Sequence, residues 1–445
     1  MSRKSFYLVS LGCAKNTVDS DSMGQLMVDA GYRLVADPQK AGVLIVNTCG
    51  FIGPARDESY EALNELAAQK KPDQLLIAAG CLTQRYGSEV TRKVPGIDGI
   101  LGTRRWMDIV DVVQRLRRGP HPEPLYHLPE AATVGSDEKD TLRASIQGGS
   151  AYLKIADGCR RPCAFCAIPL IKGTAVSRPA DVIVEEARLL QETGVHEINL
   201  IAQDTTDYGH DLGIKDGLAY LLEKITDEVP TLDWIRILYA YPGCVTDRLI
   251  DVMASRPQIV PYLDMPLQHA HPQTLRLMKR PANMDWVYKT LEKMRRAIPQ
   301  LALRSTFIVG YPGETDEAFQ ALLDFVAEIR FDRVGAFQFS FEPGTTSEPL
   351  GDPVPAAVKE ARYDQIMTLQ QGISLERNQS FVGKTLDVLI EGQDREQGIS
   401  LGRSYRDAPE IDGMVVIEGL APVNEIVPIR ITGAMAYDLT GIPAK

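Results

Sequence analysis

Six short apolar runs recur between residues 148 and 375, each separated from the next by a stretch with helical spacing. This alternation restricts what the segment can fold into. The runs are Ala151–Ile155, Glu197–Ala202, Trp234–Tyr239, Tyr262–Met265, Leu303–Val309 and Val334–Phe339. Between the first two, Ala180–Thr193 carries apolar residues at the 3.6-residue period. Parallel strands need a crossover of this length, and repeated strand–helix units give either a barrel or an open parallel sheet.

The flanking segments read differently. Up to residue 118 strands and helices also alternate: Phe6–Ser10 is a strand, Thr17–Ala30 a helix capped by Thr17, Val43–Asn47 a strand, Pro54–Gln69 a helix and Leu75–Ala79 a third strand. That is the pattern of a parallel α/β sheet. Residues 119–147 read as a linker, since Gly119-Pro120-His121-Pro122-Glu123-Pro124 disfavours regular structure and the polar run Gly135–Thr141 follows. From residue 376 to 445 the runs Thr385–Ile390, Met414–Ile417 and Ile426–Ile431 stand between Gly, Asn and Asp, as in a small antiparallel barrel. Domains are therefore expected at 1–118, 148–375 and 376–445. A chain of 445 residues is too long for one core. No run reaches the roughly 18 apolar residues of a membrane helix. Ser2-Arg3-Lys4-Ser5 leads into a strand without a signal-peptide pattern, so a cytoplasmic location is expected.

Seven cysteines, an odd number, are a poor disulfide framework for such a protein, and metal or cluster ligation becomes the leading reading. Cys159, Cys163 and Cys166 form C-x3-C-x2-C directly after a strand. Three thiolates in one loop hold three irons of a [4Fe–4S] cluster and leave the fourth iron open to an exogenous ligand. A structural zinc site wants four ligands, and nothing nearby supplies the fourth. Cys13, Cys49 and Cys81 are far apart in sequence, yet each lies just past the carboxyl end of a strand: Leu8-Val-Ser-Leu-Gly-Cys13, Leu44-Ile-Val-Asn-Thr-Cys49 and Leu75-Leu-Ile-Ala-Ala-Gly-Cys81. In a parallel sheet those ends share one edge, where ligand sites form. A second cluster with one open iron is the hypothesis, weighed against free cysteines simply being common in cores. Cys244, after Tyr241-Pro242-Gly243, has no partner at cluster spacing and reads as structural.

These residues give the chain a resemblance, over nearly its whole length, to the methylthiotransferase family of radical S-adenosylmethionine (SAM) enzymes. The matching text is Ser10-Leu-Gly-Cys-Ala-Lys-Asn-Thr-Val-Asp-Ser20, Asn47-Thr-Cys-Gly-Phe51, the 159–166 cysteine loop, Pro261-Tyr-Leu-Asp-Met-Pro-Leu-Gln-His-Ala270, Arg304-Ser-Thr-Phe-Ile-Val-Gly-Tyr-Pro-Gly-Glu314 and Asp407-Ala-Pro-Glu-Ile-Asp-Gly413. The likeness is greatest to the branch that methylthiolates the β-carbon of an aspartate in small-subunit ribosomal protein twelve. Asp157 stands where Glu is commoner and Ala14 where Pro is common, and neither change removes a ligand.

The resemblance implies a partial (β/α)6 barrel as the radical SAM core and a TRAM-like C-terminal β-barrel. It implies two [4Fe–4S] clusters, with SAM on the open iron of the Cys159/Cys163/Cys166 cluster. An electron-donor protein reduces that cluster, SAM is cleaved, and the resulting 5′-deoxyadenosyl radical takes hydrogen from an unactivated carbon. The auxiliary cluster on Cys13, Cys49 and Cys81 supplies sulfur, and a further SAM supplies the methyl group. Phe165 matches the aromatic before the third cysteine and is expected against the adenine. Gly310 and Glu314 follow a strand, where glycine lets backbone approach a ligand, although a tight strand-to-helix turn explains them equally. Gln203 and Asp204 end another strand, as site residues of barrels do.

The target rests on charge. The net charge is −11, and residues 376–445 hold seven basic against eleven acidic residues. That balance suits a basic ribosomal protein better than tRNA. Asp407, Glu410 and Asp412 are the expected docking residues. The rival readings are a tRNA adenosine methylthiotransferase and, from another class, a non-catalytic iron–sulfur module that binds the ribosome or RNA.

Overall fold

The structure, a computed structural model, describes residues 4–119, 122–129 and 140–444. Pro120, His121, most of the polar run before Thr141, residues 1–3 and Lys445 lie outside the described residues. The chain divides into two compact units. One holds residues 1–145, 154–178 and 340–349, and the other holds 146–153, 179–339 and 350–445. Among the described residues no helix is long and apolar enough to cross a membrane.

The first unit is built on a six-stranded sheet. Its strands are β1 (Ser5–Ser10), β2 (Arg33–Leu34), β3 (Val43–Thr48), β4 (Leu75–Gly80), β5 (Gly99–Gly102) and β6 (Leu125–His127), in the order β2-β1-β3-β4-β5-β6. All pairs are parallel. β3 is buried along its whole length because helices cover both faces. Val43 and Ile45 join one core with Phe6, Met23 and Trp106, and Leu44 and Val46 the other with Leu63, Leu76 and Ile100. β6 lies within the stretch expected to be a linker. Pairing with β5 fixes Leu125–His127, and the His127 ring meets Asp108 at 2.7 Å.

Helix α1 (Ala14–Asp29) also starts earlier than expected: Cys13, not Thr17, is its N-cap. Thr17 lies in the first turn, its hydroxyl 3.5 Å from the Cys13 carbonyl, because the backbone already turns at Cys13, where Asn16 N–H donates to Cys13 O at 2.7 Å. Helix α2 (Gly53–Gln69) follows β3, and helix α3 (Cys81–Tyr86) begins on the third cysteine itself.

The second large sheet comprises β7 (Ala144–Gln147), β8 (Ser150–Lys154), β11 (Glu197–Ile201), β12 (Trp234–Ile237), β13 (Ile259–Asp264), β14 (Ala302–Val309) and β15 (Arg333–Gln338). The numbers β9 (Ala156–Asp157) and β10 (Val176–Ser177) fall to a separate antiparallel pair in the first unit. From β8 to β15 the strands neighbour one another in sequence order, as in a (β/α) barrel, and β15 and β7 form the two edges. The pairs from β11 to β15 are parallel. β7 turns back into β8 through Gly148 and Gly149, with Gly148 at φ +63°. A 24-residue helix, Ala356–Gln379, then leads into a closed barrel of β16 (Thr385–Asp394), β17 (Ile399–Ser404), β18 (Val415–Glu418), β19 (Ile426–Ala434) and β20 (Leu439–Pro443). Alternate residues such as Val388, Ile390, Val415, Ile417, Ile429 and Ile431 fill its interior.

Candidate active site

Both cysteine trios belong to the first unit. Cys13, Cys49 and Cys81 follow β1, β3 and β4, three adjacent strands of one parallel sheet. Two glycines let their loops close on one another. A Cβ on Gly12 would stand 2.9 Å from Cys49 Cβ, and one on Gly50 would stand 2.6 Å from Leu82 Cα, beside Cys81. The thiols sense each other. Burial pushes Cys81 up to about 12, with the neighbouring Cys49 and Cys13 adding to the rise and Lys172 opposing it. Burial likewise raises Cys49. Cys13 is solvent-exposed on one side yet densely surrounded on the others. Burial there opposes ionisation, but Lys15, the N–H of Asn16 at the helix start and Lys172 outweigh it and hold the thiol below its ordinary value. The donor set of three soft thiols on one sheet edge fits an iron–sulfur cluster.

The Cys159–Cys166 loop is pinned at its base by the β9–β10 pair. Cys159 N–H donates to Gly173 O at 3.0 Å, and Gly158, at φ +74°, has no room for a Cβ, which would meet Thr174 O at 1.9 Å. The three cysteines line a cavity of about 450 Å³ with Arg160, Arg161, Thr345 and Thr346. Phe165 is half-buried between the second and third cysteines. Among the described residues no group of three Cys, His, Asp or Glu stands at the spacing of a single metal ion. Thiolates that each bind a different iron of a cluster do not need that spacing.

A buried ionic cluster adjoins both trios, and the local sequence gave no sign of it. Asp19, on α1, receives Arg143 and Lys154 at 2.5 Å on Oδ1 and Lys172 at 2.7 Å on Oδ2. Asp157, two residues before Cys159, lies 3.1 Å from Lys154 and 3.6 Å from Lys172. Burial opposes the charge on Asp19, but Lys154, Lys172 and Arg143 hold it far below the usual carboxylate range. The same sheet edge is clamped by Glu342, whose carboxylate accepts from Arg56 and Arg85, both at 2.7 Å, and from the N–H of Gly53 at 3.1 Å.

In the second unit, Glu314 is spent internally. It accepts from Arg362 and from the N–H of Gly310, both at 2.5 Å, and pairs with His269 at 2.9 Å. It therefore shapes the Gly310–Gly313 turn. Asp204 caps the turn at Thr205–Asp207 by accepting from Thr206 N–H at 3.0 Å, and Gln203 beside it is half-buried. Cys244 is half-buried in a turn, its N–H on Tyr241 O.

The docking role expected of Asp407 and Asp412 needs correction, because both carboxylates are buried and paired. Asp407 meets Arg333 of β15 at 2.5 Å, and Asp412 accepts from Tyr262 of β13 at 2.6 Å and lies 3.3 Å from Arg304 of β14. They join the C-terminal barrel to the larger sheet, as does Arg403, 2.6 Å from the buried Glu197. Glu410 alone is exposed, touching Gln147 and Tyr152.

A three-cysteine loop after the first strand of a sequentially ordered parallel sheet defines a radical SAM enzyme. The radical SAM superfamily model matches residues 153–326, the model of uncharacterized protein family UPF0004 matches residues 5–102, and the TRAM domain model matches residues 382–443. Membership of that superfamily brings an iron–sulfur cluster and SAM to the chemistry. The structure of the radical SAM methyltransferase TsrM from Kitasatospora setae, solved with cobalamin and a [4Fe–4S] cluster, shares the fold. Its TM-score is 0.61 at 13% identity, over 87% of this chain and 81% of that one. Ribosomal protein uS12 methylthiotransferase RimO of Chloroflexus aurantiacus is 48% identical over 98% of this chain and 99% of its own length. RimO of Roseiflexus sp. is 47% identical over 98% and 96%, and RimO of Myxococcus xanthus 44% over 98% and 91%. The chain belongs to the RimO family of methylthiotransferases.

Proposed function

We propose that this protein adds a methylthio group to the β-carbon of an aspartate in ribosomal protein uS12, in the cytoplasm, using two four-iron clusters. One sits on Cys159, Cys163 and Cys166 and the other on Cys13, Cys49 and Cys81. The observation that carries this reading is the presence of two separate three-cysteine sites in one compact unit. Residues 1–118 hold the auxiliary site, 119–147 form the connection apart from β6 and β7, which stand at the edges of the two sheets, 148–375 the radical SAM core and 376–445 the substrate-docking domain. At the cysteine loop Phe165 is assigned to the adenine side of SAM, and within the second unit Asp204 and Glu314 hold the backbone at Thr206 and Gly310.

When bound, the cluster at Cys159–Cys166 and SAM supply one-electron chemistry able to activate an unreactive C–H bond, with the electron coming from a donor protein. The chain's own part is to orient and shield. The β9–β10 pair fixes the cysteine loop. Lys172, set between the Cys loop and the sheet edge, counters the negative charge of the thiolates at Cys13 and Cys81. The cavity beside Cys159 gives access to the first site.

Anaerobically reconstituted protein is expected to hold about eight irons, and the triple change of Cys159, Cys163 and Cys166 to Ala about four. Ser at Cys13, Cys49 or Cys81 is expected to stop methylthio transfer while 5′-deoxyadenosine still forms. Deleting the gene in its host then tests the target. Ribosomal protein uS12 is expected to lose about 46 Da by this transfer chemistry while tRNA methylthioadenosine is unchanged. Loss of the tRNA modification with uS12 mass unaltered would reassign the substrate to tRNA.

A further inference from the structure

We propose that the Ser340–Pro349 segment is a crosspiece that sets the separation of the two cluster sites, with Glu342 as its positioning residue. The inference rests on the two-cluster reading above. The segment follows the last strand of the larger sheet but packs wholly within the first unit. One end is anchored at the auxiliary site. The Glu342 carboxylate, buried at 3% exposure, accepts from Arg56 on α2, from Arg85 on α3, from the N–H of Gly53 and from Ser340. Arg85 also donates to Gly50 O at 3.0 Å and to Pro343 O at 2.8 Å. Gly50 is the residue after Cys49, and Arg85 lies four residues after Cys81, so one carboxylate ties together the backbones that follow two of the three auxiliary cysteines.

The other end is anchored at the radical-generating site. Ser347 N–H donates to Ala164 O at 2.8 Å, between Cys163 and Cys166, and Thr345 and Thr346 line the cavity of the three cysteines. Between the anchors the segment is stiff, because Thr345 Oγ1 donates back to Glu342 O at 2.8 Å and Gly344 N–H to Glu348 at 2.9 Å. A buried carboxylate shared by two guanidiniums has few alternative positions, since any shift leaves a charge unpaired. The two sites must act on one substrate carbon in turn, and displacement of about 1 Å in such a relay costs about 100-fold in productive events.

The test is Glu342→Gln in the full-length, doubly reconstituted protein. Pulsed dipolar electron paramagnetic resonance on the fully reduced protein reads the distance between clusters. The distribution is expected to broaden about twofold or shift, with iron content near that of the unmodified protein. In turnover, 5′-deoxyadenosine formed per methylthio group is expected to rise about tenfold, as a misplaced relay predicts. Glu342→Asp should restore part of both. Should Glu342→Gln fail to fold, Arg56→Gln, which leaves the Glu342–Arg85 pair, is expected to show the same changes in smaller measure. An unchanged distance distribution and ratio in folded variants overturns the proposal. A single cluster signal in the unmodified protein overturns the two-cluster reading, and this proposal with it.

Discussion

Gly50→Ala tests the auxiliary site with a single methyl group. The new Cβ would lie 2.6 Å from Leu82 Cα and 2.7 Å from Leu82 N, where ordinary contact begins at 3.4 Å. The shortfall of about 0.8 Å falls on backbone, not on a side chain that can swing away, and it lies in α3, whose first residue is Cys81. Relief must therefore move either the Cys49–Phe51 loop or the start of α3, and each carries one of the cysteines proposed as ligands. Overpacking of this kind costs about 1–3 kcal/mol, which a fold of this size survives. A ligand site does not, because metal–ligand distances hold to within about 0.2 Å. Iron should fall from about eight to about four per chain, the visible absorption of the cluster should halve, and 5′-deoxyadenosine should still form without methylthio transfer. Gly24→Ala, in α1 with nothing within 4 Å of the added methyl, is the control and should retain all iron and gain about 0.5–1 kcal/mol. Full iron and full transfer activity in Gly50→Ala would refute the argument that the glycines close this site.

Glu197 is opposed by burial, yet Arg403 and Arg236 hold its carboxyl at about 2, below its ordinary 4.5. Its contribution, roughly 3 kcal/mol, is whole above pH about 4.5 and is lost as pH falls toward about 2, so Glu197→Gln should flatten the acid limb of a stability–pH curve followed by circular dichroism. Asp407→Ala leaves Arg333 buried without its carboxylate and should cost about 3–5 kcal/mol, read as faster proteolytic release of the C-terminal barrel. Glu314→Gln weakens the bonds that hold the Gly310 turn and should lower SAM affinity about tenfold in equilibrium dialysis, with iron content unchanged.

Most of the architecture was legible because it is written in short-range signals. The six strands of the larger sheet appear as apolar runs displaced by no more than a few residues, and the closed C-terminal barrel as alternating runs between turn residues. The cysteine trios were singled out for different reasons, one from spacing within a loop and one from three repetitions of a strand-end position, and the structure puts both in the first unit. What escaped was long-range. Asp19 finds its cations 124, 135 and 153 residues away, and Glu342 meets Arg85 across 257 residues, which no local pattern encodes. Glu342 did carry one clue, its place in a Ser-Phe-Glu-Pro-Gly turn just after a barrel-type strand, where site residues gather. Asp407 and Asp412 misled because an acidic, loop-like motif reads as surface, and only the opposing Arg333 and Arg304 reveal that it is interior. Thr17 resembled a cap by residue type alone, whereas the backbone had already turned at Cys13.

The distance along the chain from Asp19 to Lys172 also sets an order of events during synthesis. A ribosome adding about 5–20 residues per second needs roughly 8–30 seconds to travel from Asp19 to Lys172, and longer to reach Glu342. Until Arg143, Lys154 and Lys172 are made in turn, the nascent sheet carries its three cysteines beside a carboxylate whose set of counter-ions is incomplete. The sheet edge that carries Cys13, Cys49 and Cys81 is begun by the first residues translated and completed only by residues from the last third of the chain. Closure of this sheet edge around the three cysteines therefore waits until the chain has folded back on itself across 257 residues.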